Sequence, residues 1–141
     1  MNEKILHIAK QVRKWCEAFV DTDGNQKKYN FDYSLCGMCA AASFALHDAL
    51  KKHGIKSKVI NGTFDGDFEH CWIEIEDKII DITATQFDVA VLVHIVNKNN
   101  EMYKKYKAYN SYKSFPKGWG DQQPSRQLTQ KIFRMGLTLT E

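Results

Sequence analysis

The sequence predicts an α+β domain in which helices pack against an antiparallel sheet. Two helical segments come first in the chain, several short β-type segments follow, and further helical segments close it. Runs of strands that follow runs of helices are typical of sheets built from hairpins. A length of 141 residues suits one domain, so we assign residues 1–141 to a single domain.

The first two predicted helices differ in character. Residues 3–20 place apolar side chains at helical spacing, which predicts an amphipathic helix. A second helix is predicted to begin between Cys36 and Cys39 and to end about His53, where Gly54 is a stop signal. Its alanines are strong helix formers with small side chains, so we expect this helix to pack closely at the centre of the fold.

The strands are predicted from alternation with period two and from β-branched content. Residues 70–75 and 78–82 both alternate, which indicates a hairpin whose turn is Glu76 and Asp77. Residues 89–96 form another apolar, β-branched run. The other predicted elements are a strand that begins at residues 57–59 and ends near Asn61-Gly62, a helix at residues 102–109, and a helix at residues 127–135 with Ser125 as its cap.

Composition indicates a protein of the cytoplasm. No apolar run is long enough to span a bilayer, and charged residues interrupt the N-terminal segment where a signal peptide would be apolar. Disulfides are rare in the reducing cytosol, so we expect the four cysteines to be free, catalytic, metal-binding or simply buried.

Charge is unevenly placed along the chain. Residues 1–97 carry 11 Lys and Arg against 14 Asp and Glu, whereas residues 98–141 carry 9 against 3. The basic C-terminal third could meet an acidic partner, although a solvated surface is the simpler interpretation. Because no nucleic-acid motif accompanies the basic residues, nucleic acid is not an expected partner.

Cys39 is the candidate nucleophile. A cysteine in the first turn of a helix lies in the positive end of the helix dipole, which favours the reactive thiolate. The same turn offers free backbone N–H groups for an oxyanion, and Gly37 lets the backbone approach a substrate closely.

His70 and Asp81 are the candidate base and its orienting carboxylate. If the turn residues are Glu76 and Asp77, His70 and Asp81 lie on one face of the hairpin as diagonal neighbours. Such positions are about 7–8 Å apart at the backbone, within reach of the two side chains. His70 could then act as general base and acid, while Asp81 holds the imidazole in the required tautomer.

Three short motifs resemble those of the transglutaminase-like superfamily. They are Gly37-Met38-Cys39 at a helix start, His70-Cys71-Trp72 on a strand, and Asp81-Ile82-Thr83 at the end of the next strand. The similarity covers roughly residues 35–87. It implies a papain-like core, with a central helix carrying the cysteine packed on an antiparallel sheet. It also implies a Cys39–His70–Asp81 triad for acyl transfer on an amide of a peptide or protein, by hydrolysis, deamidation or transamidation, without cofactor or metal.

The oxyanion and substrate contacts are less marked in the sequence. No glutamine shortly precedes Cys39, where a papain-type oxyanion donor would be expected. Tyr33, Asn30 and Gln86 are the alternative polar candidates, and Trp72 could line the cleft or fill the core.

Three other functions remain open from the sequence. Cys36 and Cys39 could bind zinc with His70 and Cys71, although adjacent strand residues point to opposite faces and cannot easily share one ion. Cys36 and Cys39 could instead form a redox pair at a helix start. The domain could also bind proteins without catalysis. We expect Cys36 to be a packing residue, and Cys16 and Cys71 to lie in the core.

Overall fold

The computed structural model describes residues 3–21, 38–87, 89, 91–113 and 124–140, which form three α-helices and a five-stranded antiparallel sheet. This arrangement confirms the α+β class. The helices are α1 (Glu3–Asp21), α2 (Cys39–Lys52) and α3 (Pro124–Thr140). The strands are β1 (Lys58–Phe64), β2 (Phe68–Ile75), β3 (Lys78–Asp81), β4 (His94–Asn97) and β5 (Tyr106–Tyr112). Two 3-10 helices cover Ala84–Phe87 and Glu101–Lys105.

The sheet has the strand order β4-β3-β2-β1-β5. In the β2–β3 hairpin Ile75 lies opposite Lys78, so Glu76 and Asp77 are the two turn residues, as predicted. Glu76 has a φ of 55°, a left-handed conformation that two-residue hairpin turns require. The observed register therefore places His70 and Asp81 on the same face of the sheet.

Each face of the sheet packs on its own apolar core. The helix-side core joins α1, α2 and α3 to residues such as Ile73 and Ile80. The opposite face carries a smaller aromatic core, which has no α-helix among its members. The buried members of this aromatic core are Ile60, Phe64, Trp72, Ile79, Val96 and Tyr106.

Helix α2 begins without a side-chain cap. Met38, its N-cap residue, makes no side-chain capping bond to the first turn. At the other end the N–H groups of His53 and Gly54 bond to the carbonyls of Leu50 and Lys51, and Gly54 takes a φ of 75°. The Met38 side chain therefore does not occupy the first-turn N–H groups, which an oxyanion could use.

The predicted helix at residues 102–109 is wrong. Glu101–Lys105 forms a short 3-10 helix, and Tyr106 then begins strand β5. Strand β5 is exposed along most of its length and lies at the sheet edge against β1. Its tyrosines favour the strand and its lysine suits an edge, whereas pairing with a strand about 45 residues earlier cannot be seen in a local pattern.

The predicted strand at residues 89–96 is shorter in the structure. Strand β4 covers only His94–Asn97, each residue of which is paired with one residue of the four-residue strand β3. Val91 and Leu92 precede the strand and are exposed. The short neighbouring strand, and not the apolar run, therefore sets the length of β4. The final helix, by contrast, extends beyond residues 127–135 at both ends.

Gly62 lies inside β1, although the sequence pattern placed it at the strand end. A Cβ at this position would overlap the carbonyl of Lys107 on β5 and lie 2.9 Å from the Trp72 ring. We therefore expect Gly62→Ala to lower the free energy of unfolding by about 2–3 kcal/mol, the usual cost of overpacking. Urea denaturation would measure this loss, with Ser111→Ala on the exposed side of β5 as control. An unchanged midpoint in Gly62→Ala would contradict the close approach of the two strands.

Candidate active site

Asp81 lies at the centre of a buried hydrogen-bond network. It ends β3 and its side chain is almost fully buried. Its Oδ1 accepts bonds from the Thr83 N–H at 2.9 Å and the Thr83 hydroxyl at 3.3 Å. Its Oδ2 accepts bonds from the Tyr106 hydroxyl at 2.8 Å and from His70 Nε2 at 2.6 Å. Four donors thus fix the carboxylate and compensate for its burial.

His70 is held by Asp81 through Nε2, which leaves Nδ1 as the nitrogen available to Cys39. Burial lowers the pKa of His70, but the charge of Asp81 and its hydrogen bond, together with Cys39, raise it to about 9. The imidazole is also enclosed by four rings whose centroids lie 4.8–6.3 Å away, those of Phe64, Trp72, Phe87 and Tyr106. The protonated imidazole is therefore stabilised by one buried carboxylate in an apolar setting.

Cys39 is the first residue of α2 and is partly exposed. Its pKa is lowered to about 5, first by a hydrogen bond from the Cys71 side chain. Burial opposes this shift, while the hydrogen bond and charge of His70 and the backbone N–H of Cys71 add to it. Between about pH 5 and pH 9 these two pKa values favour a thiolate beside an imidazolium, which is the reactive form of a catalytic cysteine.

Cys71 is more than the core residue that we predicted. It is buried and its thiol donates to Asn61 Oδ1 at 3.6 Å, but it is also the group that lowers the pKa of Cys39 most. The hydrogen bond to Cys39 and burial raise the pKa of Cys71 far above its ordinary value, so it stays a neutral donor. Its single proton can be given to Asn61 or to the Cys39 thiolate, and the charged acceptor forms the stronger bond.

At Cys71, strand β2 has no paired residue on β3, because the pairing of the two strands ends at Ile73 and Ile80. After the hydrogen-bonded pair of Ile73 and Ile80, the next such pair of this ladder would join the Cys71 N–H to the Ile82 carbonyl. Instead, the buried Arg13 of α1 donates to the Ile82 carbonyl at 2.8 Å. The Cys71 N–H is thereby left for the sulfur at the start of α2.

Arg13 should therefore support both the fold and the site. It also donates to the Thr85 hydroxyl at 2.9 Å, and it is almost fully buried. We expect Arg13→Met to lower the free energy of unfolding by about 3 kcal/mol, since hydrogen bonds to a charged group contribute roughly 1.5–3 kcal/mol each. Chemical denaturation would measure the change, with the exposed neighbour Lys14→Met as control. Equal stability of the two variants would contradict this role.

The other predicted contact residues have separate positions. Gln86 Nε2 donates to the Thr83 carbonyl at 3.0 Å and lies 3.4 Å from His70 Nδ1, so its amide is beside the reactive edge of the imidazole. Trp72 belongs to the aromatic core and is only 1% exposed. Its Nε1 has no hydrogen-bond partner among the residues with described positions. The remaining predicted residues, Asn30, Tyr33, Cys36 and Gly37, lie outside the described residues.

Sequence reasoning missed Tyr106, Thr83 and Arg13. Tyr106 was assigned to a helix, and its hydroxyl reaches Asp81 from the far edge of the sheet. Thr83 could have been found as the residue two positions after Asp81, which is a common donor position to a carboxylate. Arg13 could have been found as a cation within the apolar stripe of the first helix.

His94 is a second histidine near Asp81, on strand β4. It lies opposite Asp81 in the β3–β4 pairing and is half-buried. Its Nε2 has no hydrogen-bond partner in the described part of the chain. Burial lowers the pKa of His94, against the raising effect of Asp81, so this histidine favours the neutral form.

The described residues were also compared with the requirements of a metal site, a surface cavity and a membrane-spanning helix. Across residues 3–21, 38–87, 89, 91–113 and 124–140, no group of three or more His, Cys, Asp or Glu could hold a metal ion. Two surface cavities of about 300 and 370 Å³ lie along α3, and none of Cys39, His70 and Asp81 lines them. In the same described part, no helix combines the length and the apolar character needed to cross a bilayer.

Comparison with known proteins decides the family. The family model described as YunG protein matches residues 4–121. The chain belongs to the YunG family. No curated protein and no solved structure matches it. The predicted membership of the transglutaminase-like superfamily is wrong, because the match is to YunG and no transglutaminase-like or papain-like family was found. Each of the three motifs fixes only two residues in three, so together they do not identify a superfamily. The YunG match does include Cys39, His70 and Asp81.

Proposed function

We propose that this YunG-family protein is a thiol-dependent enzyme that transfers the acyl group of an amide through a covalent intermediate on Cys39. One observation carries the proposal. A partly exposed cysteine at a helix start has a lowered pKa beside a buried histidine, and that histidine is bonded at 2.6 Å to a buried aspartate. Shifted pKa values that produce opposite charges on a thiol and its neighbouring imidazole are typical of catalytic cysteines.

The chemistry follows from these positions. The Cys39 thiolate attacks the carbonyl carbon, and the oxyanion meets the N–H groups at the start of α2 and the amide of Gln86. The imidazolium of His70 gives its Nδ1 proton to the departing amine, and a thioester to Cys39 remains. Water or a second amine then attacks the thioester while His70 takes up a proton. Asp81 holds the imidazole throughout.

The substrate is proposed to be a peptide or protein amide, and the reaction to be hydrolysis, deamidation of glutamine or transamidation. The side chains named above perform these steps without a metal or cofactor. Within this proposal the layout is papain-like, with a helix that carries the nucleophile packed on a sheet that carries the base. We also place the enzyme in the cytoplasm, where its thiols stay reduced. The basic residues of 98–141 could dock an acidic partner.

The pH dependence gives a first prediction for turnover. Acylation needs the thiolate, which is lost as the pH falls through about 5, and the imidazolium, which is lost as the pH rises through about 9. We therefore expect kcat/KM to follow a bell-shaped curve whose limbs belong to the Cys39–His70 pair. A rate that keeps rising above pH 9 would contradict proton donation by His70.

The proposal is tested with two cysteine variants. Pools of fluorogenic peptide amides would report amide cleavage, and release of ammonia from glutamine peptides would report deamidation or transamidation. Mass spectrometry of quenched reactions would detect the acyl-enzyme on Cys39. We expect Cys39→Ala to lose all turnover and Cys36→Ser to keep it. Full turnover by Cys39→Ala would exclude this mechanism, and loss of turnover in Cys36→Ser would contradict the assignment of Cys39 as the one required thiol.

A further inference from the structure

We propose that Cys39 and Cys71 are a modification site, at which a peroxide converts the two thiols into a reversible disulfide and thereby blocks Cys39. The inference uses the reactivity of Cys39 towards an oxidant. It does not depend on the proposed acyl transfer, because a disulfide can form in a protein that never cleaves an amide.

The fold brings the two sulfurs together from separate elements. Cys71 and Ile73 are two residues apart on β2, so both point towards the helix-side core, while Trp72 between them points to the aromatic core. Helix α2 packs on this face, and Cys39 is its first residue. The helix packs on β1 and β2, and each of the two thiols is the largest influence on the pKa of the other, so the two sulfurs lie within interaction range. A disulfide between them requires that the two sulfurs approach to bonding distance, about 2 Å.

The two sulfurs differ in their exposure to solvent, and therefore to a dissolved peroxide. Cys39 is partly exposed, whereas Cys71 is buried, with an exposed fraction of 8%. The exposed sulfur favours the thiolate, and the buried one stays a neutral thiol. Peroxide therefore attacks at Cys39, and Cys71 is the adjacent thiol that can resolve the product. Cys16, which is fully buried and has a pKa raised to about 12 by burial, is protected.

The reaction is balanced with hydrogen peroxide as oxidant. The Cys39 thiolate attacks one peroxide oxygen, the O–O bond breaks, and sulfenic acid and hydroxide form. The Cys71 thiol then attacks the Cys39 sulfur, the S–O bond breaks, and water leaves with the proton of Cys71. The two thiols lose two electrons and two hydrogens, and the peroxide becomes two molecules of water. A dithiol reductant reverses the change through a mixed disulfide.

A competing partner makes the test decisive. Cys36 is three residues before Cys39 and could also resolve a sulfenic acid. We would treat reduced, desalted protein with equimolar hydrogen peroxide at pH 7, block the remaining thiols, and map the peptides without reductant. We expect a mass lower by two hydrogens, a Cys39–Cys71 peptide pair, and complete recovery of Cys39 alkylation after dithiothreitol.

Variants separate this pair from the alternatives. In Cys71→Ser the disulfide should be absent, and dimedone should trap at least about tenfold more Cys39 sulfenic acid than in the wild type. In Cys36→Ser, the matched control, the Cys39–Cys71 pair should form as before. A Cys36–Cys39 pair, or sulfinic acid on Cys39 with Cys71 unmodified, would overturn the proposal. The mapping of the wild-type protein decides the question even if Cys71→Ser fails to fold.

Discussion

Replacing His70 with alanine is expected to raise the pKa of the Cys39 thiol from about 5 by roughly 1–3 units, the usual effect of losing an adjacent positive charge. The thiolate fraction below pH 6 then falls steeply, although a more basic thiolate is intrinsically more nucleophilic. For a rise of two units, iodoacetamide alkylation at pH 5 should slow by roughly fivefold to tenfold. The pH–rate profile of Cys39, followed by peptide mapping, measures both changes.

The control for this variant is His53→Ala. His53 is exposed at the C-terminal end of α2, so its loss should leave the alkylation profile of Cys39 unchanged. The hydrogen bond from Cys71, which lowers the pKa of Cys39 most, should keep the midpoint of His70→Ala below that of a free thiol. If His70→Ala and the wild type have the same midpoint, no thiolate–imidazolium pair exists and the proposed function fails with it.

Replacing Asp81 with asparagine is expected to lower turnover strongly although the nucleophile remains. The variant keeps the shape of the side chain but removes the charge that raises the pKa of His70. The asparagine oxygen can accept from Thr83, and its NH2 group then faces the Tyr106 hydroxyl and His70 Nε2, where it favours the wrong tautomer. An equivalent change in the serine protease triad lowers kcat about 10⁴-fold, and we expect a loss on the order of 10³–10⁴ here.

The same substitution also weakens the fold. Buried hydrogen bonds to a charged group contribute roughly 1.5–3 kcal/mol, so Asp81→Asn should lower the free energy of unfolding by about 2–3 kcal/mol. Titration of the His70 imidazole by NMR would show its pKa falling, whereas Asp77→Asn in the exposed turn should change neither quantity. A His70 pKa that stays near 9 in Asp81→Asn would contradict the assigned role of the carboxylate.

The hairpin that carries His70 and Asp81 could be predicted because its information is local. Alternation with period two fixes the face of each side chain, and a two-residue turn at Glu76 and Asp77 fixes the register. The helix that carries Cys39 follows from its alanine content and from the glycine stop at its end, which are also local signals, and these signals placed its start between Cys36 and Cys39.

The support around that site could not be predicted, because it comes from distant segments. Tyr106 reaches Asp81 from β5, and Arg13 reaches the Ile82 carbonyl from α1. No spacing in the sequence shows that these elements meet. The role of Cys71 was missed for a different reason. Alternation correctly placed the Cys71 side chain on the face of the sheet away from His70. It does not show that the helix packed on that face begins with Cys39.

The early end of β3 leaves the Cys71 N–H with two possible acceptors. These are the Ile82 carbonyl of a longer sheet and the Cys39 sulfur. If β3 continued by one more hydrogen-bonded pair, the Cys71 N–H would be consumed by the Ile82 carbonyl and lost to the Cys39 sulfur. Arg13 prevents this by taking that carbonyl for α1. A longer β3 and a docked Arg13 are therefore alternative partners for one carbonyl, and only the second leaves the Cys71 N–H to the sulfur.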